Sequence, residues 1–282
     1  MTSTGGGGPR RSGRERAAEA RRQQAAADRR RKQLVIGGIA VAVIALAALI
    51  GVLVQHNTSN NNKKARNAYG AGQPFAAPSG VVPSPGSPTD PGAIVYGKSA
   101  AKVTVEVDED VRCPFCKEAE SFFGATNKEY ADAGKIQVHY RLVDLIDRNS
   151  GGQGSLVGGS TLACAADVGQ AQFIAFHDLI YKNQPDETTD SYGSVDTMLN
   201  LAGQVPNLRS ATFDQCARSG KYAQWIKDNY TWLGKKLGGS VGTPDIYIDG
   251  TSFPLQDPNA VPGTQQTANY KAALDAAVAK QV

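Results

Sequence analysis

The run from Leu34 to Val54 contains 21 residues and no charged or strongly polar side chain. At 1.5 Å per residue, an α-helix of this length is about 31 Å long. The hydrocarbon core of a bilayer is about 30 Å thick, so the run has the length that a membrane-spanning helix needs. The sequence therefore predicts a single transmembrane helix over residues 34–54.

The residues on either side of this run predict its orientation. Residues 29–32 read Arg-Arg-Arg-Lys, whereas residues 55–62 hold Gln, His and several Asn. Because cytoplasmic flanks carry the excess of basic residues, the N-terminus is predicted to be cytoplasmic and everything after residue 54 to lie outside. A cleaved secretory signal is the alternative. It is disfavoured because the run exceeds the usual core of about 7 to 15 residues and no small-x-small site follows it.

Composition assigns the remaining N-terminal residues to tail and linker. Residues 1–33 are rich in Gly, Ala and Arg with few large apolar residues, which predicts a disordered cytoplasmic tail. Residues 55–92 are rich first in Asn and then in Pro, Gly and Ser, which is typical of a tether. The net charge of +4 arises mainly before residue 33, where ten Arg and Lys face three acids. The rest is nearly balanced, so no nucleic-acid partner is predicted.

Residues 93–282 show the periodicity of a folded domain. Val103, Val105 and Val107 alternate with polar residues, which predicts a strand, and a helix is predicted from Cys113 to Tyr130. A second strand is predicted over 136–145, a helical insertion over about 150–238, a strand over 246–248 before the Asp249-Gly250 turn, and a helix at the C-terminus. This order indicates an α/β fold with an all-helical insertion.

The segment Cys113-Pro114-Phe115-Cys116 combines two thiols with a helix start. If Cys113 is the N-cap, Pro114 occupies the first helical position, where its missing N–H is not needed. The sulfur of Cys113 then faces unpaired backbone amides and the positive end of the helix dipole, which lowers the pKa of a thiol. Cys116, one turn later, is predicted to be more buried and to act as the resolving thiol. The pattern predicts redox exchange at this pair.

Two structural alternatives compete with this interpretation of the cysteines. A zinc site needs two further ligands, but the remaining candidates form no recognisable second half; they are Cys164, Cys216, His139 and His177. No metal is therefore predicted. A purely structural short-loop disulfide is the other alternative, although it stabilises less, about 2 kcal/mol against about 4 for a bond that closes the roughly 50 residues between Cys164 and Cys216.

Two segments resemble the DsbA-like branch of the thioredoxin superfamily, especially the membrane-anchored versions of high-GC Gram-positive bacteria. They are residues 103–117, which end in Cys-Pro-Phe-Cys-Lys, and residues 242–250, which read Gly-Thr-Pro-Asp-Ile-Tyr-Ile-Asp-Gly. The resemblance implies a thioredoxin fold with an inserted helical domain. It implies a cis Pro244 against the redox pair, substrate binding by the backbone of Thr243, and a structural disulfide between Cys164 and Cys216.

The chain departs from that family at two positions. Strongly oxidising members often carry His between the cysteines, whereas this chain has Phe115. Relatives also tend to have a buried acid six residues before the first cysteine, and here that residue is Val107. Glu106 and Asp108 lie on either side of it, so either is a candidate proton acceptor for Cys116.

Together these observations predict extracytoplasmic thiol–disulfide exchange by a single-pass membrane protein, with oxidation of substrate dithiols as the favoured direction. The expected substrates are reduced secreted or membrane proteins, and the expected re-oxidant is a quinone-linked membrane partner. No cofactor is expected beyond the redox-active disulfide. A disulfide reductase or isomerase on the same scaffold is one alternative, and a non-catalytic binding module with a thioredoxin fold is another.

Overall fold

A computed structural model describes residues 64–281. The predicted tail at 1–33 and the predicted transmembrane helix at 34–54 lie outside the described residues. Between residues 64 and 281, no helix is both long enough and apolar enough to cross a bilayer.

The centre of the domain is a mixed sheet of six strands. These are β1 (Val81–Val82), β2 (Ala93–Gly97), β3 (Val103–Glu109), β4 (Ile136–Leu142), β5 (Asp245–Ile248) and β6 (Thr251–Ser252). Their order across the sheet is β1-β2-β4-β3-β5-β6. Strands β3 and β4 are parallel, and every other neighbouring pair is antiparallel. Because β3 and β4 are parallel, the chain between them forms a crossover connection, and this connection contains the Cys-Pro-Phe-Cys segment.

Helices surround this sheet. They are α1 (Pro114–Ala119), α2 (Ala125–Asp132), α3 (Leu145–Asn149), α4 (Gly154–Val168), α5 (Gln170–Lys182), α6 (Val195–Ala202), α7 (Ala211–Ser219), α8 (Ala223–Lys236) and α9 (Gly263–Ala279). A π-helical turn, Glu120–Gly124, joins α1 to α2, and a 3-10 turn, Ser191–Gly193, precedes α6. Helices α3 to α8 all lie between β4 and β5, so the helical block interrupts the sheet at one connection.

The core forms where the alternating strands meet these helices. Val103, Val105 and Val107 of β3 are each at most 2% exposed, and Val105 pairs with Val138 on one side and Ile248 on the other. Such period-2 alternation is what places one face of a strand in a core. The alternation in β3 therefore fixes which face of the sheet the helices cover.

Helix α4 is the centre of the helical block, and almost all of its residues are buried. Two glycines allow its close packing: a Cβ on Gly158 would lie 2.9 Å from a methyl of Val111, and one on Gly159 would lie 3.0 Å from Cδ1 of Ile226. A disulfide between Cys164 of α4 and Cys216 of α7 joins two helices of the block. Close packing and a covalent bond therefore both hold the helices of this block together.

The described part of the predicted linker, residues 64–92, packs on the domain instead of forming a free tether. The hydroxyl of Tyr69 donates to the carbonyl of Ala217 at 2.6 Å, and the backbone N–H of Ser79 donates to Asp167 at 3.0 Å. Strand β1 pairs with β2, and Asp90 is buried. Composition predicted a tether because Pro and Gly are frequent here, but a few side chains find partners on the helices and the sheet.

Candidate active site

Cys113 sits between β3 and the first turn of α1. Its backbone is extended, with φ −71° and ψ 120°, and Pro114 begins the helix, the position that the spacing predicts. Asp110 holds the loop before it: the backbone N–H of Cys113 donates to the carbonyl of Asp110 at 2.9 Å, and that of Arg112 donates to Oδ1 of Asp110 at 2.8 Å. The sulfur of Cys113 therefore lies at the N-terminus of a helix, on a loop fixed by the end of the central strand.

The pKa of the Cys113 thiol is lowered to about 6. The largest cause is a hydrogen bond from the thiol of Cys116, and the side chain of Thr243 and the backbone amides of Cys116 and Phe115 act in the same direction, while burial opposes them. Hydrogen bonds to a charged group favour the charged form. Near neutral pH the thiolate of Cys113 is therefore the stable form.

The pKa of the second thiol shifts in the opposite direction, although both cysteines are buried and Cys113 is only 3% exposed. Cys116 is 1% exposed, and its pKa is raised well above the ordinary value for a thiol, first by burial, then by its hydrogen bond to Cys113 and by the negative charges of Cys113 and Glu109. Two thiols whose environments separate their pKa values take different roles in one reaction. Cys113 is therefore the nucleophile of the pair, and Cys116 is the thiol that retains its proton.

The loop before β5 lies against these sulfurs. Asp245, the first residue of β5, pairs with Asp108 of β3, which brings the preceding Thr243 beside Cys113. The Cys113 thiol donates to the carbonyl of Thr243 at 3.3 Å, and the Thr243–Pro244 peptide bond is cis. The structure thus brings Thr243 and Pro244 to the redox pair, whereas Cys164 and Cys216 lie apart from it in the helical block.

This geometry agrees with comparison to known proteins. A family model described as Thioredoxin matches residues 89–276. The chain belongs to the thioredoxin family. Comparison with curated protein sequences finds no significant match.

Solved structures of DsbA-type proteins share the fold. BdbD from Bacillus subtilis has 20% identity and a TM-score of 0.52, with 66% of this chain and 92% of that chain covered. MdbA from Corynebacterium diphtheriae, a thiol-disulfide oxidoreductase, has 21% identity and a TM-score of 0.51, with 75% and 99% covered. DsbA from Chlamydia trachomatis has 17% identity and a TM-score of 0.52, with 64% and 90% covered. The predicted thioredoxin fold is therefore confirmed, and these DsbA-type proteins share it.

Around the thioredoxin-family motif, two side chains that the sequence analysis missed hold the loop that carries Cys113. The amide nitrogen of Gln184 donates to the carbonyls of Val111 at 2.9 Å and Cys113 at 3.0 Å. The guanidinium of Arg112 donates to Asp147 at 2.6 Å. Gln184 and Asp147 belong to the helical block, and no local pattern marks their pairing with a loop so distant along the chain.

The two acids that the sequence analysis considered as proton acceptors are engaged elsewhere. The side chain of Asp108 accepts from Arg141 at 3.0 Å, and that of Glu106 accepts from Lys236 at 3.0 Å. The carboxylate whose charge acts on Cys116 is instead that of Glu109, the last residue of β3. The sequence pattern did not single out Glu109, because Glu109 and Asp108 are both fully buried at the end of β3, where the alternation of inward and outward residues stops.

Glu109 also belongs to a cluster with His177 and Glu120. Nε2 of His177 lies 2.9 Å from Oε1 of Glu109, and one donor atom from each of the three side chains falls within 4.8 Å of the others. Nε2 of His177 is already hydrogen-bonded to Glu109, and we assign no metal ion to these three residues.

Proposed function

We propose that this chain catalyses thiol–disulfide exchange outside the cytoplasm, and that it oxidises dithiols of reduced secreted or membrane proteins to disulfides. One observation carries the proposal: a thiol with a pKa near 6 at a helix N-terminus lies beside a buried thiol whose pKa is raised. A low-pKa cysteine at a helix N-terminus, next to a second cysteine that can resolve the mixed disulfide, is an arrangement that suits exchange chemistry.

The reaction follows from this division of roles. A substrate thiolate attacks the sulfur of Cys113 in the oxidised pair, the Cys113–Cys116 bond breaks, and Cys116 leaves. A second substrate thiolate then attacks the substrate sulfur, and Cys113 leaves as the thiolate that its surroundings stabilise. Two electrons pass from the substrate to the cysteine pair, and the substrate leaves with a disulfide.

The stabilised thiolate favours the oxidising direction. Stabilising the reduced form of a cysteine pair makes its disulfide a stronger oxidant. The pKa of Cys113, about 6, lies between the values of about 7 for thioredoxin and about 3.5 for DsbA. We therefore expect a reduction potential between those two proteins. Phe115 in place of His is consistent with an oxidant of intermediate strength. Isomerase activity on the same scaffold is therefore a second candidate function.

Equilibration of the chain with mixtures of reduced and oxidised glutathione tests the direction. A Cys164→Ala, Cys216→Ala background leaves one cysteine pair to titrate. The expected reduction potential of the Cys113–Cys116 pair lies clearly above that of thioredoxin, about −270 mV. A midpoint at or below that value would refute the oxidase proposal and favour a reductase.

Substrate is proposed to bind across the surface that Thr243 and Phe115 share. The carbonyl oxygen of Thr243 lies 3.3 Å from the sulfur of Cys113. The phenyl ring of Phe115 is 60% exposed beside the pair. A backbone segment beside the reactive sulfur suits pairing with an extended peptide, and an exposed aromatic side chain suits contact with the apolar side chains of that peptide. Partly unfolded polypeptides present both features.

Membrane attachment remains part of the proposal. A single uncleaved anchor over residues 34–54, with a cytoplasmic N-terminus, would keep the domain where disulfides persist. A quinone-linked membrane protein is proposed to re-oxidise the pair, which would need no further cofactor. A membrane-impermeant maleimide applied to intact cells that were first treated with a reductant should label Cys113. Labelling only after lysis would refute this topology.

A further inference from the structure

Gln184 lies just after the end of α5, in the helical block, yet its side chain contacts the loop that carries the redox pair. It is 7% exposed, and its amide nitrogen donates to the carbonyls of Val111 at 2.9 Å and Cys113 at 3.0 Å. An amide nitrogen of this kind has two hydrogens. Both are therefore used to fix the backbone on either side of Arg112.

The carbonyl of Cys113 is the point at which this contact acts on the sulfur. It also accepts the backbone N–H groups of Cys116 at 3.1 Å and Lys117 at 3.2 Å, the first hydrogen bonds of α1. The N–H of Cys116 is also one of the amides that stabilise the thiolate of Cys113. One N–H thus serves two acceptors, a carbonyl oxygen and a sulfur. Because Gln184 gives that carbonyl another donor, a larger share of the N–H is left for the sulfur.

The two hydrogens of Gln184 also favour a negative charge on the loop. Among residues 64–281, no other donor reaches the carbonyl of Val111. A buried carbonyl without a donor is unfavourable, and a carbonyl oxygen that keeps its full negative character disfavours an anion beside it. The amide of Gln184 weakens that character at the carbonyl of Cys113 itself. It therefore acts in the same direction as the dipole of α1 and favours the thiolate over the thiol.

The backbone of Gln184 is held in place independently of its side chain. Its N–H donates to the carbonyl of Tyr181 at 3.3 Å, and its carbonyl accepts the ammonium group of Lys117 at 3.0 Å. The side chain of Tyr181 packs in one apolar cluster with Cys113 and Cys116. The end of α5 is thus attached to the redox pair at several points. A change confined to the side chain of Gln184 should leave its backbone where it is.

We propose that Gln184 is a positioning residue for the exchange reaction: by holding the carbonyl of Cys113, it keeps the first amides of α1 directed at the sulfur and makes the Cys113–Cys116 disulfide a stronger oxidant. The proposal deepens the proposed function and rests on it. Stabilising the reduced form of a cysteine pair raises its reduction potential. Gln184 acts through the backbone of the loop and not on the substrate, so the helical block takes part in setting the redox strength of the pair.

Gln184→Met tests this role, because methionine is close to glutamine in size but donates no hydrogen bond. In the reduced full-length chain, the rate of alkylation of Cys113 as a function of pH should show that its pKa rises by roughly one pH unit. At pH 7 such a rise would shift the equilibrium with glutathione toward the Cys113–Cys116 disulfide on the order of fivefold. The equilibrium is measured in the background with Cys164→Ala and Cys216→Ala.

Gln266→Met is the matched control, because Gln266 makes the same pair of contacts in another loop. It is 2% exposed, and its amide nitrogen donates to the carbonyls of Gln256 at 3.1 Å and Val261 at 3.0 Å. Its amide oxygen also accepts the N–H of Gln256 at 3.1 Å, so Gln266→Met should lower the free energy of unfolding in urea at least as much as Gln184→Met. Only Gln184→Met should change the pKa of Cys113 and the glutathione equilibrium.

Gln184→Glu is the second variant, for the case in which Gln184→Met does not fold. It keeps the size of the side chain and, when protonated, one donor, so it should fold and still raise the pKa of Cys113. Wild-type values of this pKa and of the glutathione equilibrium in a folded Gln184 variant would overturn the positioning role, as would equal changes in Gln266→Met. The pKa is measured without substrate, so failure of the wild type to oxidise a dithiol peptide would overturn the proposed function alone.

Discussion

At Cys113, two distant parts of the chain act on one sulfur. The local part, Cys113-Pro114 at a helix start, was predictable from sequence because capping rules involve only neighbouring residues. The distant part, Thr243, follows 130 positions later, and only the pairing of β5 with β3 brings it near. Sequence indicated its position through the resemblance to a family, whereas physical rules applied to the residues alone did not.

Removing the hydroxyl of Thr243 should raise the pKa of Cys113. Valine has nearly the same shape, so Thr243→Val keeps the backbone carbonyl while removing a buried hydroxyl that has no other partner among residues 64–281 and that lowers the pKa of Cys113 by donating to its thiolate. A hydrogen bond to a charged group is worth about 1.5 to 3 kcal/mol, so the pKa should rise by roughly one to two pH units. The ultraviolet absorbance of the thiolate as a function of pH measures this pKa, and an unchanged pKa would contradict the assigned contact.

The lowered pKa also predicts how the stability of the reduced chain depends on pH. The thiolate of Cys113 has a pKa near 6 in the folded chain against an ordinary value of 9.0. Its contribution is therefore complete above pH 9 and is lost as the pH falls through 6. Relative to Cys113→Ser, the free energy of unfolding of the reduced wild type should increase by up to about 4 kcal/mol between pH 6 and 9. A flat difference in urea titrations would count against the stabilised thiolate.

At the scale of elements, some strands could be predicted from the sequence pattern and others could not. Strand β3 alternates buried and half-buried residues, so its period was readable. Strand β2 has four consecutive buried residues, since both of its faces are covered, and a strand buried on both faces lacks alternation. Strands β1 and β6 have two residues each. Their existence depends on tertiary pairing, which a local pattern cannot reveal.

The disulfide between α4 and α7 should serve stability alone. It joins two residues that are 52 positions apart in the chain, and for a loop of this length the chain-entropy model gives a stabilisation of about 4 kcal/mol. Cys164→Ser should therefore lower the free energy of unfolding by roughly that amount, because the unfolded chain gains freedom. Exchange activity of the folded variant should stay close to that of the wild type. Loss of activity in a variant that circular dichroism shows to be folded would mean that this disulfide takes part in catalysis.

At the scale of the whole molecule, one buried arginine attaches the N-terminal segment to the sheet. Arg141 of β4 is 1% exposed, and Asp90, 7% exposed, pairs with it through both oxygens. Asp90 also accepts the backbone N–H groups of Ser84 at 2.7 Å and Gly92 at 2.8 Å. This ion pair, together with the hydrogen bonds of Tyr69 and Ser79 and the pairing of β1 with β2, explains why residues 64–92 belong to the domain although their composition is that of a linker.

Asp90→Asn should therefore destabilise the domain more than the loss of a surface charge. Removing one partner of a buried ion pair costs about 3 to 5 kcal/mol because the other charge stays buried. The matched control is Asp196→Asn, which breaks the exposed pair with Arg218 and should cost at most about 1 kcal/mol. Urea titration at pH 7 compares the two variants. Equal effects would show that the N-terminal segment is not anchored by this charge.

The central claim is that Cys113 is a stabilised thiolate at the N-terminus of α1, and its alkylation rate tests this most directly. The reduced full-length chain is treated with iodoacetamide from pH 4 to pH 10, and modification of Cys113 is followed by mass spectrometry. The rate should rise with an inflection near pH 6, as the pKa of Cys113 requires. An inflection near 9.0, the ordinary pKa of a cysteine thiol, or a sulfur that does not react at all, would contradict the account.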